Sequence, residues 1–182
     1  MTSKSKDDVV LIERLALAIP NQYLGLITLN RPAEMNPLDW SLTRKMRKIV
    51  EELVMDKEVR VIAFTGAGRA FSAGGDLKAY LTLQRSEEDF RGFLVDVHGL
   101  FDYVETCEKP AVALVNGFCV AGGLELLLAC DFGYASESAR IGDGHVNFGQ
   151  MAGGGSLARL PRRILPGIAR EVLYTGRLLT AQ

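Results

Sequence analysis

Two glycine-rich turns, each preceded by a short apolar run and leading toward a helix-like pattern, hold the residues best suited to chemistry. The first turn covers residues 70–76 after the run 61–65, and the second covers residues 116–125 after the run 111–115. Backbone N–H groups at helix starts are natural donors for an oxyanion that develops during a reaction. The pair of turns therefore predicts a site that holds negative charge on a substrate oxygen.

Glu125 is the only charged side chain between Pro110 and Asp131, and it falls in the first turn of an otherwise apolar helical pattern. Burying an unpaired carboxylate is costly, or it forces the group to bind a proton. The pattern favours an acid/base carboxylate that faces a pocket beside the N–H of Gly122. The alternative is a solvent-facing acid, or one that the helix dipole stabilises by about 0.3–1 kcal/mol.

His145 lies in a polar, glycine-rich stretch, residues 140–149, where a histidine is a candidate general acid or base. The alternative is an exposed or structurally hydrogen-bonded loop histidine, and this stretch taken alone favours that alternative. Asp143, two residues earlier, is expected to be a turn residue, although it could also be the partner of His145. His98 lies at the edge of a helical apolar face, which predicts a histidine at the boundary of the core.

Two further motifs are incomplete. Residues 66–71 half-match G-x-G-x-x-G but end in Phe71, and no acid follows a neighbouring strand at the usual offset, which disfavours a dinucleotide site. Ser72 precedes an aspartate and a histidine in the chain order of an α/β-hydrolase. A nucleophile elbow needs its strand to adjoin the serine, whereas residues 66–70 intervene here. A Ser72 hydrolase is therefore a minor alternative.

The elements that would position these residues alternate between strand and helix, which predicts an α/β fold with largely parallel pairing. Residues 9–15 and 23–29 predict a hairpin. The next helix is expected to begin with Asn36 as its N-cap and Pro37 at its first position. Further strands are predicted over residues 61–65, 111–115, 132–135 and 140–142, and further helices from Ser86, Leu124, Ser156 and Ile168.

The composition is that of an ordinary globular protein, and the length fits one domain, or one domain with part of another missing. The 182 residues carry 21 basic and 22 acidic side chains, so a net charge of −1 gives no general attraction to nucleic acid or anionic membranes. The three cysteines are widely spaced, with no C-x-x-C or Cys/His metal spacing, which predicts reduced thiols and no metal site. Residues 1–8 are polar and expected to be disordered. Without a signal sequence or an apolar run that could span a bilayer, a cytoplasmic location is expected.

Beyond these patterns, the chain resembles the crotonase superfamily, the enoyl-CoA hydratase/isomerase family. The resemblance includes A-G-G-D at residues 73–76 and A-G-G-L-E at residues 121–125. It runs in consistent order from about residue 9 to the last residue. The matching segments are residues 27–32, 36–38, 69–78, 109–113, 116–131, 153–156, 160–162 and 174–177.

This resemblance implies a spiral of repeated β-β-α units over residues 9–182, usually assembled as trimers or pairs of trimers. It also implies a CoA thioester substrate and no tightly bound cofactor, with the N–H groups of Gly75 and Gly122 holding the thioester oxygen. Members of the family normally continue with further helices, so their C-terminal helical part is expected to be missing here. The residues implied in contact with the CoA moiety are Ala33, Met35, Ala73, Asp76, Leu77 and Lys78.

The hydratase pattern places two glutamates at the reacting carbons. Glu125 matches the first, but His145 stands where the second is expected. Because imidazole exchanges protons near neutral pH, hydration of a 2-enoyl-CoA stays chemically feasible. Other branches of the superfamily shift a double bond with one acid. The β-diketone hydrolases pair a histidine at this position with a later aspartate. Residues 150–155 contain no aspartate, which disfavours C–C bond hydrolysis.

The expected function is therefore that of an enoyl-CoA hydratase or isomerase. The alternatives are a C–C bond hydrolase or decarboxylase of the same superfamily, and a non-catalytic scaffold that binds CoA thioesters.

Overall fold

The structure, a computed structural model, describes residues 8–182. The prediction of disorder over residues 1–8 therefore falls outside the described residues, apart from Asp8. Among the described residues, no helix is long and apolar enough to cross a bilayer.

An N-terminal hairpin and one helix precede the repeated part of the fold. Strands β1 (Val10–Ala16) and β2 (Tyr23–Leu29) pair antiparallel, as the sequence predicts, and α1 (Trp40–Met55) follows them.

Three β-β-α units make up the rest of the described chain. Their strand pairs are β3 (Val59–Gly66) with β4 (Ala70–Ser72), β5 (Ala111–Val115) with β6 (Phe118–Val120), and β7 (Phe132–Ala135) with β8 (Arg140–Gly142). Their helices are α2 (Leu77–Leu83) and α3 (Glu87–Thr106), then α4 (Gly122–Ala129), then α5 (Ser156–Arg163) and α6 (Pro166–Thr175), after which comes β9 (Leu179–Thr180).

The two strands of each unit enter two different sheets. The first strands join a five-stranded sheet in the order β1-β2-β3-β5-β7, and the second strands join a four-stranded sheet in the order β4-β6-β8-β9. Pairing between successive units is parallel in both sheets, while β1–β2 and β8–β9 pair antiparallel. The chain thus advances by one strand in each sheet per unit. This confirms the predicted α/β spiral of β-β-α units.

Helices α1 and α3 pack against each other and bury the apolar faces that their sequence periodicity predicts. The buried residues are Leu42, Met46, Ile49, Val50 and Leu53 on α1, and Phe93, Val97, Leu100, Phe101 and Val104 on α3.

The predicted start of α1 is wrong. The helix begins at Trp40, and Asp39 is its N-cap, with its carboxylate accepting from the Leu42 N–H at 2.8 Å. Asn36 is 1% exposed, has a φ of +55° and donates from its side chain to the carbonyls of Ala70 and Phe71. Its amide ties the loop before α1 to the first glycine turn, a long-range role that local capping rules do not anticipate.

Strands β4 and β6 are not predicted from the sequence. Each has only three residues and lies inside a segment assigned to a glycine turn. The glycines on both sides give these runs the composition of a loop, so the sequence does not indicate a strand there. Both strands matter for the site, because they lead directly into its two turns.

Candidate active site

The two glycine turns lie against each other. A Cβ built on Gly74 would lie 2.6 Å from the Cβ of Ala121 and 3.1 Å from the nitrogen of Gly122. Ala121 has a φ of +51°, in the region that favours glycine, which costs on the order of 1–3 kcal/mol and turns the chain sharply into α4. The fold thereby brings together two segments that are about fifty residues apart in the sequence.

Gly75 and Gly122 both line a cavity of about 440 Å³. Among residues 8–182, the N–H of neither glycine donates a hydrogen bond to a protein group. Gly122 is the first residue of α4, where N–H groups have no partner within the helix. Two free donors therefore lie on the wall of one cavity.

Glu125 lines the same cavity and is 3% exposed, so the solvent-facing alternative is wrong. Its Oε1 accepts from the N–H of Gly154 at 2.7 Å and from the N–H of Ser156 at 3.2 Å. Burial raises the pKa of Glu125, and this outweighs the opposing effects of His145 and the two backbone donors. A carboxyl group with a raised pKa is suited to gaining and losing a proton in a reaction.

His145 begins a 3₁₀ turn, His145–Phe148, that follows β8, and it also lines the cavity. Its Nδ1 lies 3.0 Å from Oδ1 of Asp143. A carboxylate can only accept, so this contact puts the ring proton on Nδ1. Nε2 makes no hydrogen bond within the described residues, which leaves it available to a substrate.

Asp143 is 2% exposed, and the expectation that it is only a turn residue is wrong. One of its oxygens contacts His145, and the other accepts a short hydrogen bond from the hydroxyl of Ser156. Burial alone would raise the pKa of Asp143, but the hydrogen bonds from His145 and Ser156 outweigh it and lower that pKa. For His145, burial lowers the pKa, but the bond to Asp143 and the negative charges of Asp143 and Glu125 outweigh it, so the pKa is raised.

Ser156 connects the two carboxylates, because its N–H donates to Glu125 and its O–H donates to Asp143. It is fully buried at the start of α5. Sequence reasoning missed Ser156 and Gly154 as partners of Glu125. The only local signal is their position at the end of the glycine run that precedes a helix.

The rest of the cavity wall is mainly apolar and comes largely from α3, which favours an apolar group as its occupant. The apolar side chains are Leu38, Phe90, Phe93, Leu94, Val97, Phe101, Met151 and Ala152.

A second cavity of about 380 Å³ adjoins the first and shares Gly75, Tyr80, His145 and Gln150 with it. Four of the six residues expected to contact CoA line this second cavity: Ala73, Asp76, Leu77 and Lys78.

Ala33 and Met35, the other two residues expected to contact CoA, do not line the second cavity. Ala33 is exposed in a 3₁₀ turn, Pro32–Glu34, and the carbonyl of Met35 accepts from the Ala73 N–H at 2.9 Å. The carboxylate of Asp76 accepts from the N–H groups of Lys78 and Ala79 as the cap of α2. Of the six candidates, only Lys78 has a positively charged side chain, the kind that pairs with a phosphate group.

Ser72 and His98, two weaker candidates, line neither cavity. Ser72 is fully buried, lines neither cavity, and its hydroxyl accepts from the Gly74 N–H at 3.2 Å. A serine nucleophile needs access and a contact with the histidine base, so this geometry disfavours a Ser72 hydrolase. The His98 ring is exposed, and its Nε2 contacts the Gly153 carbonyl.

Several known proteins are similar to this chain in sequence. Residues 20–182 match the family model described as enoyl-CoA hydratase/isomerase. A crotonyl-CoA hydratase from Syntrophomonas wolfei is 35% identical over 161 residues, covering 88% of this chain and 61% of its own length. The human enoyl-CoA hydratase domain-containing protein 2, mitochondrial, is 36% identical over 170 residues, covering 93% of this chain and 58% of its own length.

A solved structure is similar to this chain as well. The crystal structure of an enoyl-CoA hydratase from Bacillus anthracis superposes with a TM-score of 0.86 at 35% identity, covering 96% of this chain and 66% of that one. Against the curated relatives that it matches, the chain spans between 56% and 65% of their length.

Proposed function

The chain belongs to the enoyl-CoA hydratase/isomerase family, and we propose that it catalyses the reversible hydration of a 2-enoyl-CoA through a thioester enolate. One observation carries the proposal. A buried carboxylate with a raised pKa, Glu125, lines the same cavity as a second proton-exchanging group, His145, and two free backbone donors. Hydration needs one group to activate water and another to protonate carbon, and this cavity offers both.

The N–H groups of Gly75 and Gly122 are proposed to hold the thioester oxygen. As water adds to C3, the electron pair of the C2=C3 bond forms a C1=C2 bond and the π pair of the carbonyl moves onto that oxygen, which gives an enolate. Fixed donors in a cavity with apolar walls stabilise such a charge more than water does, because they need no reorganisation during the reaction.

Glu125 is proposed to take a proton from the attacking water, and the His145 imidazolium to give one to C2. The product is a 3-hydroxyacyl thioester. Glu125 then releases its proton and His145 regains one, so that the next cycle starts from the same state. Asp143 holds the proton on Nδ1 of His145, which keeps Nε2 directed to the substrate.

The CoA moiety is proposed to lie along the second cavity, with Lys78 available to a phosphate group. Assembly as a homotrimer or hexamer is a further proposal, which sedimentation of the purified chain would test.

The test is turnover of a panel of straight-chain 2-enoyl-CoA and 3-enoyl-CoA thioesters by the purified chain. We expect 2-enoyl-CoA to lose its conjugated absorbance and gain the mass of one water. Isomerisation of 3-enoyl-CoA without hydration would assign the chain to double-bond migration instead. Binding of every thioester without any turnover would contradict the proposal and support the scaffold alternative.

A further inference from the structure

Tyr80, on α2, stands at the junction of the two cavities and lines both. A Cβ built on Gly75 would collide with the hydroxyl oxygen of Tyr80. The phenol therefore reaches the open side of Gly75, the residue whose N–H is one of the two free donors.

The ring of Tyr80 is held in place while its hydroxyl is free. The ring packs edge-on against Phe93, with centroids 5.4 Å apart and planes at 64°, and its backbone N–H donates to the Asp76 carbonyl at 2.9 Å. Within residues 8–182, the hydroxyl has no hydrogen-bond partner. A fixed ring with a free polar end inside a ligand cavity is the arrangement expected for a residue that binds substrate.

The electrostatic surroundings make this hydroxyl a donor and exclude it as a base. Burial, with smaller contributions from the charges of Glu125 and Asp76, raises the pKa of Tyr80 to about 12. The phenol stays protonated at neutral pH, and Glu125 and His145 already supply the groups that exchange protons. What Tyr80 adds is one O–H near the free N–H of Gly75.

We propose that the Tyr80 hydroxyl donates a hydrogen bond to the carbonyl oxygen of the bound acyl thioester, as a third donor beside Gly75 and Gly122. This inference rests on the proposed function, because it requires a thioester in the first cavity. It makes Tyr80 a determinant of thioester recognition and of enolate stabilisation.

Ligand binding to wild type and to Tyr80→Phe tests this proposal by comparing two ligands. One is butanoyl-CoA, a saturated thioester, and the other is S-butyl-CoA, a thioether that lacks the carbonyl oxygen. We expect the variant to bind the thioester about 3- to 10-fold more weakly and to bind the thioether with unchanged affinity. The carbonyl stretch of the bound thioester should also move back toward its frequency in water. With a 2-enoyl-CoA, kcat should fall on the order of 10- to 100-fold, because negative charge develops on that oxygen.

Tyr134→Phe is the matched control, since Tyr134 is exposed on β7 and lines neither cavity. It should leave both affinities unchanged. Equal losses for thioester and thioether in Tyr80→Phe would overturn the proposal in favour of a packing role, and so would unchanged binding of both. Wild-type protein that binds neither ligand would instead overturn the proposed function, and the role of Tyr80 with it.

Discussion

Two buried carboxylates, on two different segments of the site, behave in opposite ways. Glu125, in the first turn of α4, is 3% exposed, and Asp143, after β8, is 2% exposed. The pKa of Glu125 is raised, whereas that of Asp143 is lowered. Low exposure alone therefore does not set the direction of the pKa shift of either group.

The partners of the two carboxylates account for the difference. Glu125 accepts from two backbone N–H groups, while Asp143 faces a histidine ring that can carry a positive charge and also accepts from a hydroxyl. Burial penalises both charges, and only Asp143 has a partner that can neutralise its charge at close range. Glu125 is thus suited to exchange a proton, and Asp143 to remain ionised and hold His145.

The largest expected loss of activity follows from replacing Glu125. Glu125→Gln should lower kcat for 2-enoyl-CoA by about 10²- to 10⁴-fold, because the amide cannot exchange a proton with water. The Gln oxygen can still accept from Gly154 and Ser156, so circular dichroism should show an intact fold. Glu52→Gln, an exposed position on α1, is the control, and a wild-type rate in Glu125→Gln would remove Glu125 from the mechanism.

Glu125→Gln should also change how the stability of the fold depends on pH. Because the pKa of Glu125 is raised in the folded state, its contribution to stability is fully present below its unfolded pKa and is lost as pH rises through the folded pKa. The melting temperature of Glu125→Gln, relative to wild type, should therefore increase as pH rises toward neutrality. A relative melting temperature that falls over this range would contradict the raised pKa.

Asp143→Asn should have the next largest effect on activity. Loss of the partner that orients His145 should lower kcat on the order of 10- to 100-fold. Without the Asp143 charge the pKa of His145 falls, so the high-pH limb of the activity profile should move to lower pH. Asp89→Asn, at an exposed site on α3, serves as the control.

Asp143→Asn should also destabilise the fold at neutral pH by about 1–3 kcal/mol, measured by urea unfolding. The lowered pKa of Asp143 means that its stabilisation is present above its unfolded pKa and is lost as pH falls through the folded pKa. The deficit of Asp143→Asn should therefore shrink in acid. A variant as stable as wild type at neutral pH would remove the distinction between the two carboxylates.

Ser156→Ala should have the smallest effect on activity. It removes the hydroxyl that donates to Asp143 but keeps the backbone N–H that donates to Glu125. We expect kcat to fall only about 2- to 10-fold and stability to fall by about 1–2 kcal/mol. Ser41→Ala, exposed on α1, is the control. A loss of activity equal to that of Asp143→Asn would show that the hydroxyl, and not the histidine contact, governs Asp143.

The sequence favours a buried, proton-exchanging Glu125, whereas for Asp143 it offers the contact with His145 only as an alternative to a turn residue, and the structure shows that contact. Glu125 stands out as the only charge in an apolar helical run, a pattern that favours a buried, proton-binding carboxyl group over a solvent-facing acid. The strands Phe132–Ala135 and Arg140–Gly142 were likewise predicted with the bounds that the structure has.

The residues that escaped prediction take their roles from distant parts of the chain. The hydrogen bond from Ser156 to Asp143 forms only because α5 packs there, and Asn36 looks like a helix cap until β4 brings the Ala70 carbonyl to its amide. Tyr80 is one of several aromatic residues in the sequence and gains its interest only from its position beside Gly75. Local rules cannot supply contacts of this kind.

The most direct test of the account is a titration of both side-chain carboxyl carbons by ¹³C NMR, with Glu125→Gln and Asp143→Asn used to assign the two signals. We expect Glu125 to titrate above the ordinary glutamate value of 4.5 and Asp143 to titrate below the ordinary aspartate value of 3.8. A Glu125 that titrates at or below its ordinary value, or an Asp143 that titrates above its own, would contradict it.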